Sequence, residues 1–329
     1  VSVTQALLRG HGLDVNLASL RQARLDTLAS HYELRGFAET LVADVELAYW
    51  DVALAERQIA IVTQSLQLAE QQLSETSERI KIGKLAETEL AAAQAEVASR
   101  REALISARSA LATAKLRLLR LLNAPGADLW GREVVLLVQP AAPDLKLDGV
   151  EIHVQVALRM RPDLNEAKLR VRRGDLELVK TRNGLLPKLD LFATLGKSGY
   201  STSLGHSPFA LAKSGYDALA GVSYEFPVGN RAAKATNERA VLTARQLREA
   251  LDNLSQLAEL DVRTAYIEVS RTQEQVVATA ATRKFREEAV RAETEKFRVG
   301  KSTTLLVGQA QRDLVVSQLV EVQAVVNLL

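Results

Sequence analysis

The chain has 329 residues, of which 25% are charged and only 4% aromatic, a composition that suits long helices better than one thick globular core. Forty-two Lys and Arg against forty Asp and Glu leave a net charge of +2, so no nucleic-acid partner is expected. The lack of cysteine excludes thiol catalysis, thiolate metal sites and disulfides. No run of about eighteen apolar residues occurs, which excludes a transmembrane helix but not the weaker pattern of a transmembrane β-barrel.

The chain opens on a short alternating segment, residues 1–5, that predicts a strand. No signal peptide precedes it, and the apolar run at residues 319–329 has no helix cap after it, so both ends are interpreted as trimmed. From Asp14 to Ile82, a helical pattern is interrupted only by Gly36. At ~1.5 Å per residue such a helix spans about 100 Å. A helix of that length must pack against other long helices.

The apolar residues of this helix and of the helix that returns from it alternate steps of three and four, as in a left-handed coiled coil. Small Ala side chains recur along this seam and allow neighbouring helices to approach closely. The seam residues are Val45, Ala48, Val52, Ala55, Ile59, Val62, Leu66, Ala69 and Leu73, followed by Leu90, Ala93, Val97, Leu104, Ala107, Leu111, Ala114, Leu118 and Leu121.

Residues 124–160 contain Pro125, Pro140 and Pro143 and predict a less regular link, expected at the waist of a helical bundle. A helix is predicted from near Asp163 to Pro187, and a strand hairpin over residues 187–228. Two alternating runs form this hairpin. In the first, Leu189-Leu191-Ala193-Leu195, only Phe192 breaks the alternation, and the second is Ala218-Ala220-Val222-Tyr224-Phe226-Val228.

Two interpretations of the hairpin stay open. It is either half-buried over a small core, or two strands of a membrane barrel with aromatic side chains near the bilayer interfaces, and the long neighbouring helices favour the barrel. The aromatic candidates are Tyr200, Tyr216 and Tyr224, and the aperiodic loop between the strands contains Gly196, Gly199, Ser201, Ser203, Gly205 and Pro208. Because open sheet edges are not tolerated in lipid, a barrel with so few strands requires oligomerisation.

The second half of the chain repeats the first at a shift of 217 positions, without a gap. A helix without Gly or Pro runs from Arg231 to Val299, and its seam keeps Val262, Ala265, Val269 and Val276 but places Arg283 and Arg286 at apolar positions. At those two positions the seam is either rotated or partly solvated. The shift aligns Ala48-Tyr49 with Ala265-Tyr266, Gly83-Lys84 with Gly300-Lys301, and Ala93-Gln94 with Ala310-Gln311. The sequence thus predicts a first repeat at residues 1–123, a link at 124–160 and a second repeat at 161–329.

No enzymatic site is predicted. The four histidines, His11, His31, His153 and His206, are far apart and lack metal-ligand spacing. Carboxylates occur on every helix, as expected of solvated faces, and neither a phosphate-binding loop nor a nucleophile elbow occurs. The sequence therefore predicts a protein without catalytic residues, metal or cofactor.

In this order and spacing, several short motifs resemble the TolC-like outer membrane factor family, over nearly the whole chain. They are Gln5-Ala6-Leu7-Leu8-Arg9-Gly10, Ala48-Tyr49-Trp50, Arg161-Pro162-Asp163-Leu164, Leu186-Pro187-Lys188-Leu189 and Phe297-Arg298-Val299-Gly300, with Ala6 where the family often has Pro. The resemblance implies a mainly α fold with a small β part, in which tandem helical hairpins of three subunits form an α-barrel tunnel. It also implies a trimeric transmembrane β-barrel with four strands per subunit.

The resemblance further implies an outer membrane channel with a periplasmic extension, in a Gram-negative bacterium, that serves as a passive exit duct for efflux or type I secretion. The implied partners are two further copies of the chain, a periplasmic adaptor, an inner membrane transporter of the RND or ABC type, and outer membrane lipid. A periplasmic adaptor or a soluble coiled-coil scaffold is the alternative. An adaptor should have one helical hairpin between β-rich halves, however, and a scaffold needs no amphipathic strands.

Docking and gating are expected at two tip turns, residues 82–89 and 299–304. Gly83 and Gly300 are also expected to end each helix in the left-handed conformation, and both roles can hold. Some relatives carry an aspartate ring past the second tip turn, but the matching positions here are Leu306 and Gln309. Glu87 and Glu89 are interpreted as solvated helix-start carboxylates, with a charged constriction as the alternative. The candidate residues are Ile82, Gly83, Lys84, Glu87, Glu89, Arg298, Val299, Gly300, Lys301, Ser302, Thr303 and Gln309.

Overall fold

A computed structural model describes residues 1–123, 129–143, 146–197 and 216–329 of the chain. The chain is mainly helical with one small sheet, as the sequence predicts. None of the described helices is both long and apolar enough to cross a membrane. The elements are β1 (Ser2–Ala6), α1 (Leu13–Lys81), α2 (Thr88–Leu122), α3 (Val150–Met160), α4 (Pro162–Asn183), β2 (Lys188–Lys197), β3 (Tyr216–Glu225), α5 (Arg231–Arg298) and α6 (Thr304–Leu328).

The elements fall into two compact units. The first unit comprises Val1–Phe37 and Glu151–Asp261, and the second comprises Ala38–Val150 and Val262–Leu329. The helices α1 and α5 each begin in the first unit and end in the second. Each unit thus combines segments from both halves of the chain, while the division into repeats 1–123 and 161–329 around a link stays a prediction.

The sheet of the first unit is antiparallel, in the order β1-β2-β3. Its register places Leu191 of β2 opposite Gln5 and Val222, and Thr194 opposite Ser2 and Leu219. Because paired residues share a face, one face is largely apolar and the other largely polar. Exposed side chains on the apolar face are Val3, Leu191, Leu195, Val222 and Tyr224. Of the predicted loop residues, Gly199, Tyr200, Ser201, Ser203, Gly205 and Pro208 lie outside the described residues, as does His206.

The break in the alternation of β2 has a structural cause. Phe192 lies on the polar face and pairs with Gly221 of β3. A Cβ at Gly221 would lie 2.8 Å from the Phe192 Cζ, so the ring covers backbone that has no side chain of its own. The aromatic side chain thereby protects a glycine that would otherwise weaken the strand.

The predicted seam of α1 and α2 is confirmed in the second unit. Ala48, Val52 and Leu118 form its buried core, against which Val134 and Leu136 of the link also pack. The Tyr49 hydroxyl donates to the Val138 carbonyl at 3.0 Å and accepts from the Val138 N–H at 2.9 Å. The link therefore lies against α1 through both apolar and polar contacts.

The structure corrects several expectations. Gly36 does not interrupt α1, because a single glycine within a helix costs only about 1 kcal/mol. The predicted irregular link contains α3, and Ala265, expected in the second seam, is exposed. Arg283, by contrast, agrees with the partly solvated alternative, because its side chain is 35% exposed and forms ion pairs with Glu287 and with Glu321 of α6.

Candidate functional site

Both long helices end at a tip turn through the same pair of backbone hydrogen bonds. At the first tip turn, the N–H of Lys84 donates to the Arg79 carbonyl and the N–H of Gly83 donates to the Ile80 carbonyl, both at 2.9 Å. This pattern satisfies the last carbonyls of a helix and requires a left-handed residue, here Gly83 with a φ of +72°. The predicted glycine conformation is confirmed.

The second tip turn repeats this geometry at Gly300, whose φ is +74°. The N–H of Lys301 donates to the Lys296 carbonyl at 2.8 Å, and the N–H of Gly300 donates to the Phe297 carbonyl at 3.1 Å. The two tip turns are therefore equivalent in backbone structure, at the shift of 217 positions that relates their sequences.

The two turns differ in how the next helix starts. Thr303 caps α6, since its side chain accepts from the Leu306 N–H at 3.4 Å. Glu87 precedes α2 but makes no such bond. Ser302 hydrogen-bonds to Glu293, and this bond, together with Lys296, lowers the pKa of the Glu293 carboxyl below its usual range. The second tip turn is thus held by more side-chain contacts than the first.

The tip turns also carry exposed apolar side chains at matching positions. Ile82 is 65% exposed and Val299 is 69% exposed. Beneath them, the guanidinium of Arg79 stacks at 4.8 Å on the ring of Phe297, which is buried. The ends of α1 and α5 are therefore joined by one cation–π contact.

The remaining candidates are mostly exposed. Lys84, Glu87, Lys301 and Gln309 have exposed side chains. Arg298 is exposed as well and forms a surface ion pair with Glu295 at 2.9 Å. The structure thus places these side chains on the surface of the second unit.

Glu89 does not match the prediction of a solvated carboxylate at the start of α2. Its Oε2 atom is buried and has no hydrogen-bond partner among the described residues. Its position on the first turn of α2 places it near the positive end of the helix dipole, which favours a carboxylate there. Glu87 alone therefore matches the predicted solvated carboxylate.

Sequence reasoning missed a charged cluster next to the second tip turn. The Glu96 carboxylate of α2 accepts from Arg100 at 2.6 Å and from Arg312 of α6 at 2.5 Å. The side chains of Glu96 and Arg100 are only 17% and 10% exposed. Among the described residues, no cluster of His, Asp and Glu is arranged to hold a metal ion.

The sequence of the chain matches a known protein family. A model of the family described as "outer membrane efflux protein" matches residues 13–124 and 153–328. A search of curated protein sequences returned no match.

Solved channel structures share the fold. The outer-membrane channel OprN superimposes with a TM-score of 0.81 at 18% identity, over 99% of this chain and 71% of that one. The outer membrane protein VceC from Vibrio cholerae gives a TM-score of 0.81 at 17% identity, over 99% of this chain and 77% of that one. CusC superimposes with a TM-score of 0.79 at 18% identity, over 100% of this chain and 81% of that one.

Proposed function

Since the chain belongs to the outer membrane efflux protein family, we propose that it is the passive exit channel of a tripartite efflux pump or a type I secretion system. The observation that carries the proposal is the sheet, whose apolar side chains are exposed on one face while polar side chains occupy the other. Such a face is suited to lipid, and the polar face to an aqueous lumen.

Closure of the sheet is proposed to come from two further copies of the chain. Three strands are described here, too few to close a barrel, and unpaired strand edges are costly in lipid. A homotrimer in the outer membrane would pair these edges between subunits. The long helices would then form a periplasmic tunnel below the barrel.

Docking is proposed at the two tip turns. Exposed Ile82 and Val299 offer apolar contact, and Lys84, Arg298 and Lys301 add positive charge around them. A periplasmic adaptor is the proposed partner there, and it would connect the channel to an inner membrane transporter of the RND or ABC type. The adaptor and scaffold alternatives for this chain itself gain no support from the family match.

Gating is proposed to be a change in helix packing at the tip turns. An adaptor that binds the open packing more tightly than the closed one would shift the population toward the open state. The Arg79–Phe297 contact and the Ser302–Glu293 bond are contacts that such a change would rearrange.

Two experiments test the proposal. First, the protein extracted in mild detergent is run on a gel before and after boiling. A barrel trimer migrates anomalously until it is boiled, whereas migration as a monomer under both conditions would contradict the trimer.

Second, the reversal Arg298→Glu with Lys301→Glu is tested for binding of periplasmic adaptors from the same cell and for efflux. The matched control reverses two cations away from the tip, Arg271→Glu with Lys284→Glu, because Arg271 also pairs with a glutamate three residues earlier. We expect adaptor binding and efflux to be lost in the tip variant alone. Equal binding and efflux in both variants would argue against docking at the tip.

A further inference from the structure

A cleft of about 230 Å³ lies between α1, α2 and α6 in the second unit, beside the start of α6. Its lining includes the small residues Ala93 and Gly308 and the polar residues Gln72, Glu96, Thr304 and Arg312. Pockets for drug-sized ligands hold about 300–1,000 Å³. The cleft is therefore sized for one side chain or a comparably small group.

Two hydrogen-bonding groups in the lining are unsatisfied. Thr304 is only 5% exposed, and its hydroxyl has no partner among the described residues. The side-chain nitrogen of Gln72 is also buried without a partner in that part of the chain. A buried donor without an acceptor costs about 1–3 kcal/mol, so an acceptor placed in the cleft would be stabilised.

The cationic residue of the lining, Arg312, is only partly engaged by its ion pair. Two guanidinium groups, from Arg100 and Arg312, share the single Glu96 carboxylate. Arg312 remains 41% exposed, and one of its five N–H donors is used by Glu96, which leaves donors for a second acceptor. Thr304 is the first residue of α6, where the helix dipole also favours negative charge.

We infer that this cleft receives the carboxylate of an acidic side chain from the protein that docks beside the tip turns. The inference rests on the proposed function, because Thr304 is also the last residue of the second tip turn. Arg312, Gln72 and Thr304 supply the hydrogen bonds, and Ala93 with Gly308 leaves room for a side chain to enter.

Saturation-transfer NMR on the detergent-solubilised protein tests the site with N-acetyl-glutamate amide as the probe. Its neutral counterpart, N-acetyl-glutamine amide, should bind about tenfold more weakly, since charge-assisted hydrogen bonds are roughly twice as strong. Thr304→Val, which keeps the side-chain shape, and Arg312→Gln should each weaken glutamate binding by about tenfold.

Arg286→Gln is the matched control, because Arg286 is 48% exposed and pairs with one carboxylate, Asp313 of α6, but does not line the cleft. It should leave probe binding unchanged. Equal binding of the two probes, or full glutamate binding by both cleft variants, would overturn the site. Circular dichroism confirms that each variant is folded.

The partner is tested separately, with an adaptor that the unmodified channel binds. Thr304→Val should weaken this adaptor several-fold. Unchanged adaptor affinity despite lost probe binding would reveal a site for free carboxylates and overturn the partner assignment. Failure of every adaptor to bind the unmodified channel would instead count against the proposed function, while the probe titration still decides the cleft.

Discussion

Lys301 donates its backbone N–H to the carbonyl oxygen of Lys296 at 2.8 Å, across a Gly300 whose φ is +74°. Lys84 makes the same bond to Arg79 at 2.9 Å, across Gly83. The repeat of the sequence is therefore also a repeat of the backbone motif that ends each long helix. In both turns the left-handed residue is glycine, which has no Cβ and adopts this conformation without steric cost.

Gly300→Ala should loosen the second tip turn. An L-residue in this conformation costs roughly 1–2 kcal/mol, because its Cβ crowds the following carbonyl. Hydrogen exchange of the amides in residues 296–304 should therefore accelerate by about fivefold to thirtyfold. Mass spectrometry of the exchanged peptides measures this change.

Gly308→Ala is the matched control, since it makes the same substitution within α6. A Cβ there would meet only ordinary contacts, the nearest at 3.6 Å to Arg312. Alanine is favoured over glycine in a helix by about 1 kcal/mol, so exchange should be unchanged or slower. Equal acceleration in both variants would refute the left-handed requirement.

The features that the sequence predicts well are local. The coiled-coil seam, the strand alternation and the tip glycines each follow from spacing within a short window. Contacts between distant positions have no such signal, since Glu96 and Arg312 are 216 residues apart and both sit in helices rich in charge. The sequence leaves the environment of Arg283 open for the same reason, because its partner Glu321 lies on another helix.

Glu96→Gln should destabilise the second unit more than Arg312→Gln does. Loss of the carboxylate leaves the nearly buried Arg100 without a counter-ion, which costs about 3 kcal/mol. Loss of the half-exposed Arg312 leaves Glu96 paired with Arg100, at a cost of about 1 kcal/mol. Urea unfolding followed by circular dichroism compares the two, and equal losses would show that Arg100 does not depend on Glu96.

Phe192 and Gly221 should be energetically coupled in the sheet. Gly221→Ala forces the Phe192 ring away from the backbone that it covers, and Phe192→Ala exposes that backbone. Each single substitution should destabilise the sheet by about 1 kcal/mol. In the double variant the added methyl no longer meets a ring, so the total should fall short of the sum by about 0.5–1 kcal/mol.

The unmodified protein, the two single variants and the double variant are compared by thermal unfolding. Unfolding is measured as the loss of the slow-migrating form on a gel. The pair Leu189 and Tyr224 is a suitable comparison, because these residues also face each other between β2 and β3 but involve no glycine. Strict additivity for Phe192 and Gly221 would show that the ring does not protect the strand.

Asp163 should make the first unit sensitive to acid. Its pKa is lowered from 3.8, mainly by the hydrogen bonds from the Arg161 guanidinium and further by the N–H of Leu164, although burial opposes the shift. Because the folded-state pKa lies below the unfolded one, the ionised carboxylate stabilises the fold fully above about pH 4. This stabilisation is lost as the pH falls below 3.8 toward the lowered value.

Asp163→Asn should therefore destabilise the protein at pH 7 by about 1 kcal/mol, from loss of the ion pair and the helix-dipole interaction, and flatten the fall in stability at low pH. Asp14→Asn is the control, since Asp14 also lies in a first helical turn and pairs with an arginine, Arg21 at 2.8 Å, but is 77% exposed. Unfolding midpoints between pH 3 and pH 7 distinguish the variants. An unchanged fall in stability at low pH in Asp163→Asn would show that other carboxylates control the loss.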